Sequence, residues 1–173
     1  TVGGGDYTDF NARFPADAVI AAGDTISISI AGSNSYAGTY GFAPHYELFE
    51  DGQYSDNIDD FRDVFEGSIN GASTPTLTNG GEIVVLYYWD GISDLTVDID
   101  AFIWGEAGGA HHMNKSGVSV GGSSFNSEAG FPELFADIHS YGESFTRADA
   151  LEGTEAQTGG NGFEGADETS ENL

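Results

Sequence analysis

Cysteine is absent from the 173 residues. Disulfides, thiolate metal sites and a thiol nucleophile are therefore excluded. Positive charge is almost absent as well: Arg13, Arg62, Lys115 and Arg147 stand against 29 acidic residues, for a net charge of −25. Nucleic-acid binding requires a basic footprint that this chain lacks, and an anionic membrane surface would repel it. No apolar run reaches the roughly 18 residues of a membrane-spanning helix. The opening stretch TVGGGDYTDF has neither the basic nor the apolar region of a secretory leader. Any leader is expected to have been removed already or never to have belonged to this sequence. Methionine occurs once and proline four times, against 26 glycines. With many short apolar runs between turn signals, that balance predicts an all-β chain.

An aromatic content of 13% argues against simple acidic disorder. A folded, self-repelling surface is expected instead, one that salt screens over roughly 8–10 Å and that suits saline or calcium-containing surroundings. The length suits one core, placed at residues 1–150, with 151–173 as an irregular acidic arm laid along the domain or left as a tail. No internal repeat or dividing linker is evident.

The best-patterned stretch is TNGGEIVVLYYWDGISDLTVDIDAFIWG, Thr78 to Gly105. It predicts a β-hairpin turning at Asp90-Gly91. Val84, Leu86 and Tyr88 share one side of its first strand, and Ile83, Val85, Tyr87 and Trp89 the other. Both sides are apolar, so the strand is expected to be central and covered on both faces. In the second strand Leu95, Val97, Ile99, Ala101 and Ile103 alternate with polar residues and are expected to face the core. A second strand is expected within Ala18 to Ala31, where Ile26, Ile28 and Ile30 alternate with Thr25, Ser27 and Ser29, after a turn at Gly23-Asp24. A loop or short helix is expected around Ser35 to Gly41. Short strands are expected at Tyr46 to Phe49, Val64 to Ile69 and Ser144 to Ala148, with Gly117 to Val120 extended and one or two helical turns open at Pro132 to Ile138.

Two acidic clusters are the candidate chemistry. Asp51, Asp56, Asn57, Asp59 and Asp60 lie in one loop, and Asp90, Asp94, Asp98 and Asp100 in the hairpin. Ca²⁺ takes oxygen ligands, which clustered loop carboxylates supply; Asp51, Asp56, Asp59, Asp90 and Asp94 are the candidate ligands, and Ca²⁺ the only candidate cofactor. Neither loop has EF-hand spacing, and with 29 acids in the chain turn chemistry and solvated acidity are the simpler explanation of both. His111-His112 would point to opposite faces of a strand, so they read as polar loop residues rather than a zinc site. Trp89, Trp104, Tyr87 and Tyr88 would suit sugar stacking, but a buried hairpin accounts for them without it. No P-loop, nucleophile elbow or HExxH is present. Gly159-Gly160-Asn161-Gly162 reads as consecutive turns.

FPADAVIAAGDTISISI, the hairpin LTNGGEIVVLYYWDGISDLTVDIDAFIWG, ESFTRAD and the ending TGGNGFEGADETSENL together resemble the lamin tail domain family, in its form from secreted bacterial proteins. The resemblance implies an immunoglobulin-like β-sandwich and a non-enzymatic module outside the cell or on its surface. Nothing in Thr1 to Phe14 matches the family's opening strands, so the sandwich is expected to lack its first strand or strands here. The vacant edge would take a strand from a copy of the chain or from another segment of the same precursor. Val84, Leu86, Val97, Ile99 and Ile103 would form the hairpin core or that assembly edge. The expected function is thus a structural or adhesive module that self-assembles. The alternative is a Ca²⁺- or glycan-binding accessory module of a larger secreted enzyme.

Overall fold

The computed structural model describes residues 8–50, 56–69, 74–105, 115–126, 136–146 and 159–162. It divides into two compact units, Thr1–Leu77 and Thr78–Leu173.

In the first unit, β1 (Ala12–Arg13) pairs antiparallel with β5 (Arg62–Asp63). The Arg62 guanidinium fastens this pair by donating to the Phe14 carbonyl at 3.0 and 2.7 Å. Three two-residue strands, β2 (Ile28–Ser29), β3 (Tyr46–Glu47) and β4 (Asp59–Asp60), form a parallel sheet with β3 in the middle. Between β2 and β3 runs helix α1 (Ser33–Tyr40), closed by Gly41 in the left-handed conformation at φ 81°. Phe14, Tyr46 and Phe61 pack their rings 4.5–6.2 Å apart, and Leu48, Ile69 and Pro75 are buried.

In the second unit, β6 (Gly81–Tyr88) and β7 (Val97–Gly105) form the expected hairpin. Gly91 carries the predicted positive φ, at 80°. The connection is nevertheless longer than a two-residue turn: Asp90 gathers it by accepting the amides of Ile92 and Ser93 and the Ser93 hydroxyl. At the open end Gly105, at φ 131°, stands opposite Gly81, whose Cα lies 2.6 Å from where a Cβ on Gly105 would be. Position 105 is therefore confined to glycine. β7 also meets Ala136 at Trp104 and Gly162 at Asp98 through isolated parallel bridges. A small hairpin, β8 (Ser119–Val120) with β9 (Ser123–Ser124), completes the unit.

Several expectations need correction. Among the described residues the chain is not all-β, since it includes α1, and in neither unit do two sheets stack into a sandwich. Strands of two residues bury too little face to support a second layer. β6 is not covered on both sides: Val84 and Leu86 are 40% and 44% exposed. β7 is bulged. Leu86 pairs with Asp100 and Tyr87 with Asp98, so Ile99 is the extra residue. One inserted residue reverses the alternation on its N-terminal side. Ala101 and Ile103 are buried as expected, but Val97 and Ile99 are only partly covered, and Asp98 takes the buried place. The isoleucine face of 18–31 is likewise not the covered one: only Ile28–Ser29 is strand, Ile28 is exposed, and Ser29 is buried with its hydroxyl on the Gly32 carbonyl at 2.5 Å. Residues 64–69 form a turn rather than a strand, because Asp63 and Ser68 bind its backbone: the Ile69 amide donates to Asp63 at 2.9 Å and the Val64 amide to Ser68 at 2.9 Å. Residues 136–138 and 144–146 are neither helix nor strand apart from the Ala136 bridge, and the neighbouring parts of those two predictions lie outside the described residues.

Candidate cation site

The first unit buries an acid that strand periodicity would place toward solvent. Glu47 ends β3 within the run Tyr46-Glu47-Leu48-Phe49, and its side chain is 0% exposed. The flanking residues hold it there: Tyr46 packs on Phe14 and Phe61, and Leu48 is buried. The parallel register sets Ser29 on one side of Glu47 and Asp60 on the other.

After β2 the chain turns through Gly32, at φ 92°, into α1, which brings Ser33 over the Glu47 carboxylate. The Ser33 amide donates to Glu47 Oε2, and the Ser33 hydroxyl donates to Asp56 Oδ2 at 2.5 Å. Asp56 Oδ1 accepts the Ile58 amide at 2.6 Å, which fixes the turn into β4. One carboxylate oxygen from each of Glu47, Glu50 and Asp56 lies within 4.8 Å of the other two. Glu47 Oε1, fully buried, has no hydrogen-bond partner among the described residues.

Three carboxylates so close repel one another. At an effective dielectric of about 20, a pair of charges 4.8 Å apart costs about 3.5 kcal/mol, and a closer pair more. The exposure of Asp56 reduces that figure for its own pairs. Burial pushes the Glu47 carboxyl above its ordinary range, the Ser33 hydrogen bonds pull it back, and Asp56 and Asp60 push it up again. Asp60 is also raised, by loss of solvent first and then by Glu50, Asp56 and Asp59. A divalent cation reverses these terms, since it is the largest local charge wherever it binds. The donors are all carboxylate oxygens, which suit Ca²⁺, Mg²⁺ or Mn²⁺ rather than a soft metal. Their separation lies within the span of two Ca–O bonds of roughly 2.3–2.6 Å each.

Of the expected ligands, Asp56 belongs to this cluster. Asp51 lies outside the described residues. Asp59, exposed on β4, is not among the three, and its charge acts on Asp60. Asp90 and Asp94 lie in the second unit and are engaged separately. Asp90 is bound within its own turn, and three hydrogen bonds from Ser93 and Ile92 hold its carboxyl down at about 2. Asp94 Oδ2 accepts the Gly122 amide at 3.0 Å and the Ser123 hydroxyl at 3.2 Å. Glu47 and Glu50 were missed. The one available signal was an acid inside a four-residue apolar strand, which periodicity treats as a solvent-facing position. His111 and His112 lie outside the described residues. Trp104 is 4% exposed with its indole N–H on the Thr78 carbonyl, so it presents no face for a sugar. Among the described residues no helix is long and apolar enough to cross a membrane.

No protein-family model, curated protein or solved structure matches this chain.

Proposed function

We propose that the chain is a non-catalytic, Ca²⁺-binding accessory module, with Glu47, Glu50 and Asp56 as ligands. The observation that carries the reading is Glu47 Oε1: a fully buried carboxylate oxygen with no partner, in a side chain whose reach brings it beside two further carboxylates. A buried polar atom left unpaired costs about 1–3 kcal/mol, and more when charged. A bound cation offsets that cost; nothing else among the described residues does. The placement outside a cell belongs to the same proposal, because a three-carboxylate site of this kind suits the weak, roughly 10⁻⁴–10⁻³ M, affinities of extracellular modules. The reading stands on the site and not on the lamin-tail resemblance.

Isothermal calorimetry on metal-free protein tests it. One Ca²⁺ should bind per chain, and Glu50→Gln and Asp56→Asn should each weaken uptake. Glu50→Gln and Asp56→Asn leave the Glu47 side chain in place, so lost binding reports on the ligands themselves. A flat titration at millimolar Ca²⁺ would overturn the reading.

A second reading, self-association through the hairpin, is favoured by the exposure of Val84, Leu86 and Tyr88 along β6. Sedimentation of wild type beside Leu86→Lys distinguishes the two. A concentration-dependent oligomer that the substitution dissolves would favour assembly, and a monomer at all concentrations would exclude it.

A further inference from the structure

Helix α1 is poorly equipped to form by itself. Its sequence, SNSYAGTY, is eight residues long, below the length at which isolated helices hold together in water. Gly38 in its interior weakens it further. Its N-cap is Gly32, which offers no side chain, and its first turn contains no acidic residue to complement the helix dipole. The missing negative charge arrives from elsewhere in the sequence: Glu47 Oε2 takes the amide of Ser33, the first helical residue. The carboxylate that caps the helix with one oxygen has no partner for its other oxygen among the described residues, and it is the one that joins Glu50 and Asp56 in the cluster. Ser33 is buried, and its hydroxyl also fixes Asp56. A single residue thus holds two of the three cluster carboxylates, one through its backbone and one through its side chain.

We infer that Ser33 is the positioning residue of the cation site, and that through it cation binding and the ordering of α1 are coupled. This rests on the reading of the cluster as a Ca²⁺ site. Without the cation, mutual repulsion drives Glu47 and Asp56 apart and works against both Ser33 hydrogen bonds. With it, the two carboxylates are held together and the helix start is pinned between them. Coupling of this kind is reciprocal, so whatever frees Ser33 weakens the cation by the same factor. The far end of the helix carries the consequence. Tyr36, Tyr40 and Phe42 stack 4.5–6.4 Å apart, with Tyr40 and Phe42 62% and 56% exposed. The order of that aromatic surface follows the order of α1.

Two substitutions separate positioning from mere helix stability. Ser33→Ala removes the hydroxyl and keeps the amide. Ser33→Pro removes both donors, yet proline is favoured at the first helical position, and Gly32, at φ 92° and ψ 162°, has no Cβ to meet the proline ring. The measurements are Ca²⁺ affinity by calorimetry and amide exchange by NMR at Tyr36 and Gly41, whose N–H groups bond the Gly32 and Ala37 carbonyls. In the wild type, saturating Ca²⁺ should slow exchange at both amides about tenfold. Ser33→Ala should weaken Ca²⁺ about fivefold. Ser33→Pro should weaken it more and abolish the Ca²⁺ effect on exchange, although its helix is intrinsically no worse. Wild type that binds Ca²⁺ while both variants bind it equally well, with the same change in exchange, overturns the coupling and leaves the site standing. Wild type that takes up no Ca²⁺ overturns both readings.

Discussion

Replacing Glu47 by glutamine should stabilise the metal-free protein and remove its response to calcium. In the wild type a carboxyl group is fully buried, one of its oxygens lacks a partner among the described residues, and two further carboxylates lie within 4.8 Å. Glutamine keeps an oxygen for the Ser33 amide, removes the charge, and turns an amide donor toward the neighbouring carboxylates. Relieving one unpaired buried polar atom is worth about 1–3 kcal/mol. For a chain of this length that raises the melting temperature by about 2–4 °C per kcal/mol, or about 2–12 °C in all. Calcium acts in the opposite sense. At a hundred times its dissociation constant it stabilises a one-site protein by about 2.7 kcal/mol, and glutamine forfeits that gain. The difference between the two proteins should therefore move toward the wild type by about that amount when calcium replaces chelator.

Thermal melts of both proteins, in chelator and in calcium at matched ionic strength, read this directly. The pH dependence has a definite sign. The folded carboxyl of Glu47 is raised above its value in the unfolded chain. Its contribution is fully present below the unfolded value and is lost as pH rises through the folded one. The metal-free wild type should thus gain stability on mild acidification from neutral pH, and the glutamine variant should gain less. A glutamine variant that melts below wild type in chelator would refute the reasoning, because it would mean that the buried charge is already satisfied.

Three further outcomes follow from the second unit. Asp90 is held down at about 2 against 3.8 by hydrogen bonds in its turn, so its stabilisation is present above the unfolded value and is lost as pH falls through about 2; acid unfolding of Asp90→Asn should show a shallower pH slope in that window. Lys115→Met should cost about 3–5 kcal/mol in chemical denaturation, because it leaves the buried Asp98 without its ammonium partner, whereas Lys115→Met with Asp98→Asn should recover much of the loss. Ile103→Ala should cost about 2–5 kcal/mol and Leu86→Ala much less, since the first side chain is 4% exposed and the second 44%; equal losses would put a cover over β6.

Short-range signals in the sequence were read correctly where backbone geometry decides. Gly91 and Gly23 take positive φ at 80° and 85° where turns were expected, α1 overlaps the stretch marked as loop or helix, and the 82–104 pattern forms one antiparallel pair. The misassigned faces of β2 and β7 share one cause, which is that side-chain alternation identifies opposite faces without saying which face is covered. In β2 the covered position belongs to Ser29, whose hydroxyl finds the Gly32 carbonyl. In β7 the single extra residue Ile99 moves Asp98 inward, where Lys115 meets it. The 51–60 loop stands out for its density of acids, yet among its described residues only Asp56 belongs to the cluster.

Glu47 is the decisive case, because the same reasoning that missed it explains why it matters. A glutamate at that register position would be unremarkable on a solvated strand. On the middle strand of the parallel sheet, against the start of α1, it is fully enclosed, with one oxygen on a helix amide and the other without a partner among the described residues. Stability alone would favour an amide or an apolar side chain there. A carboxylate in that place suits a partner that rewards its charge, and the two carboxylates within 4.8 Å of it are positioned to share a divalent cation, as the proposed function holds.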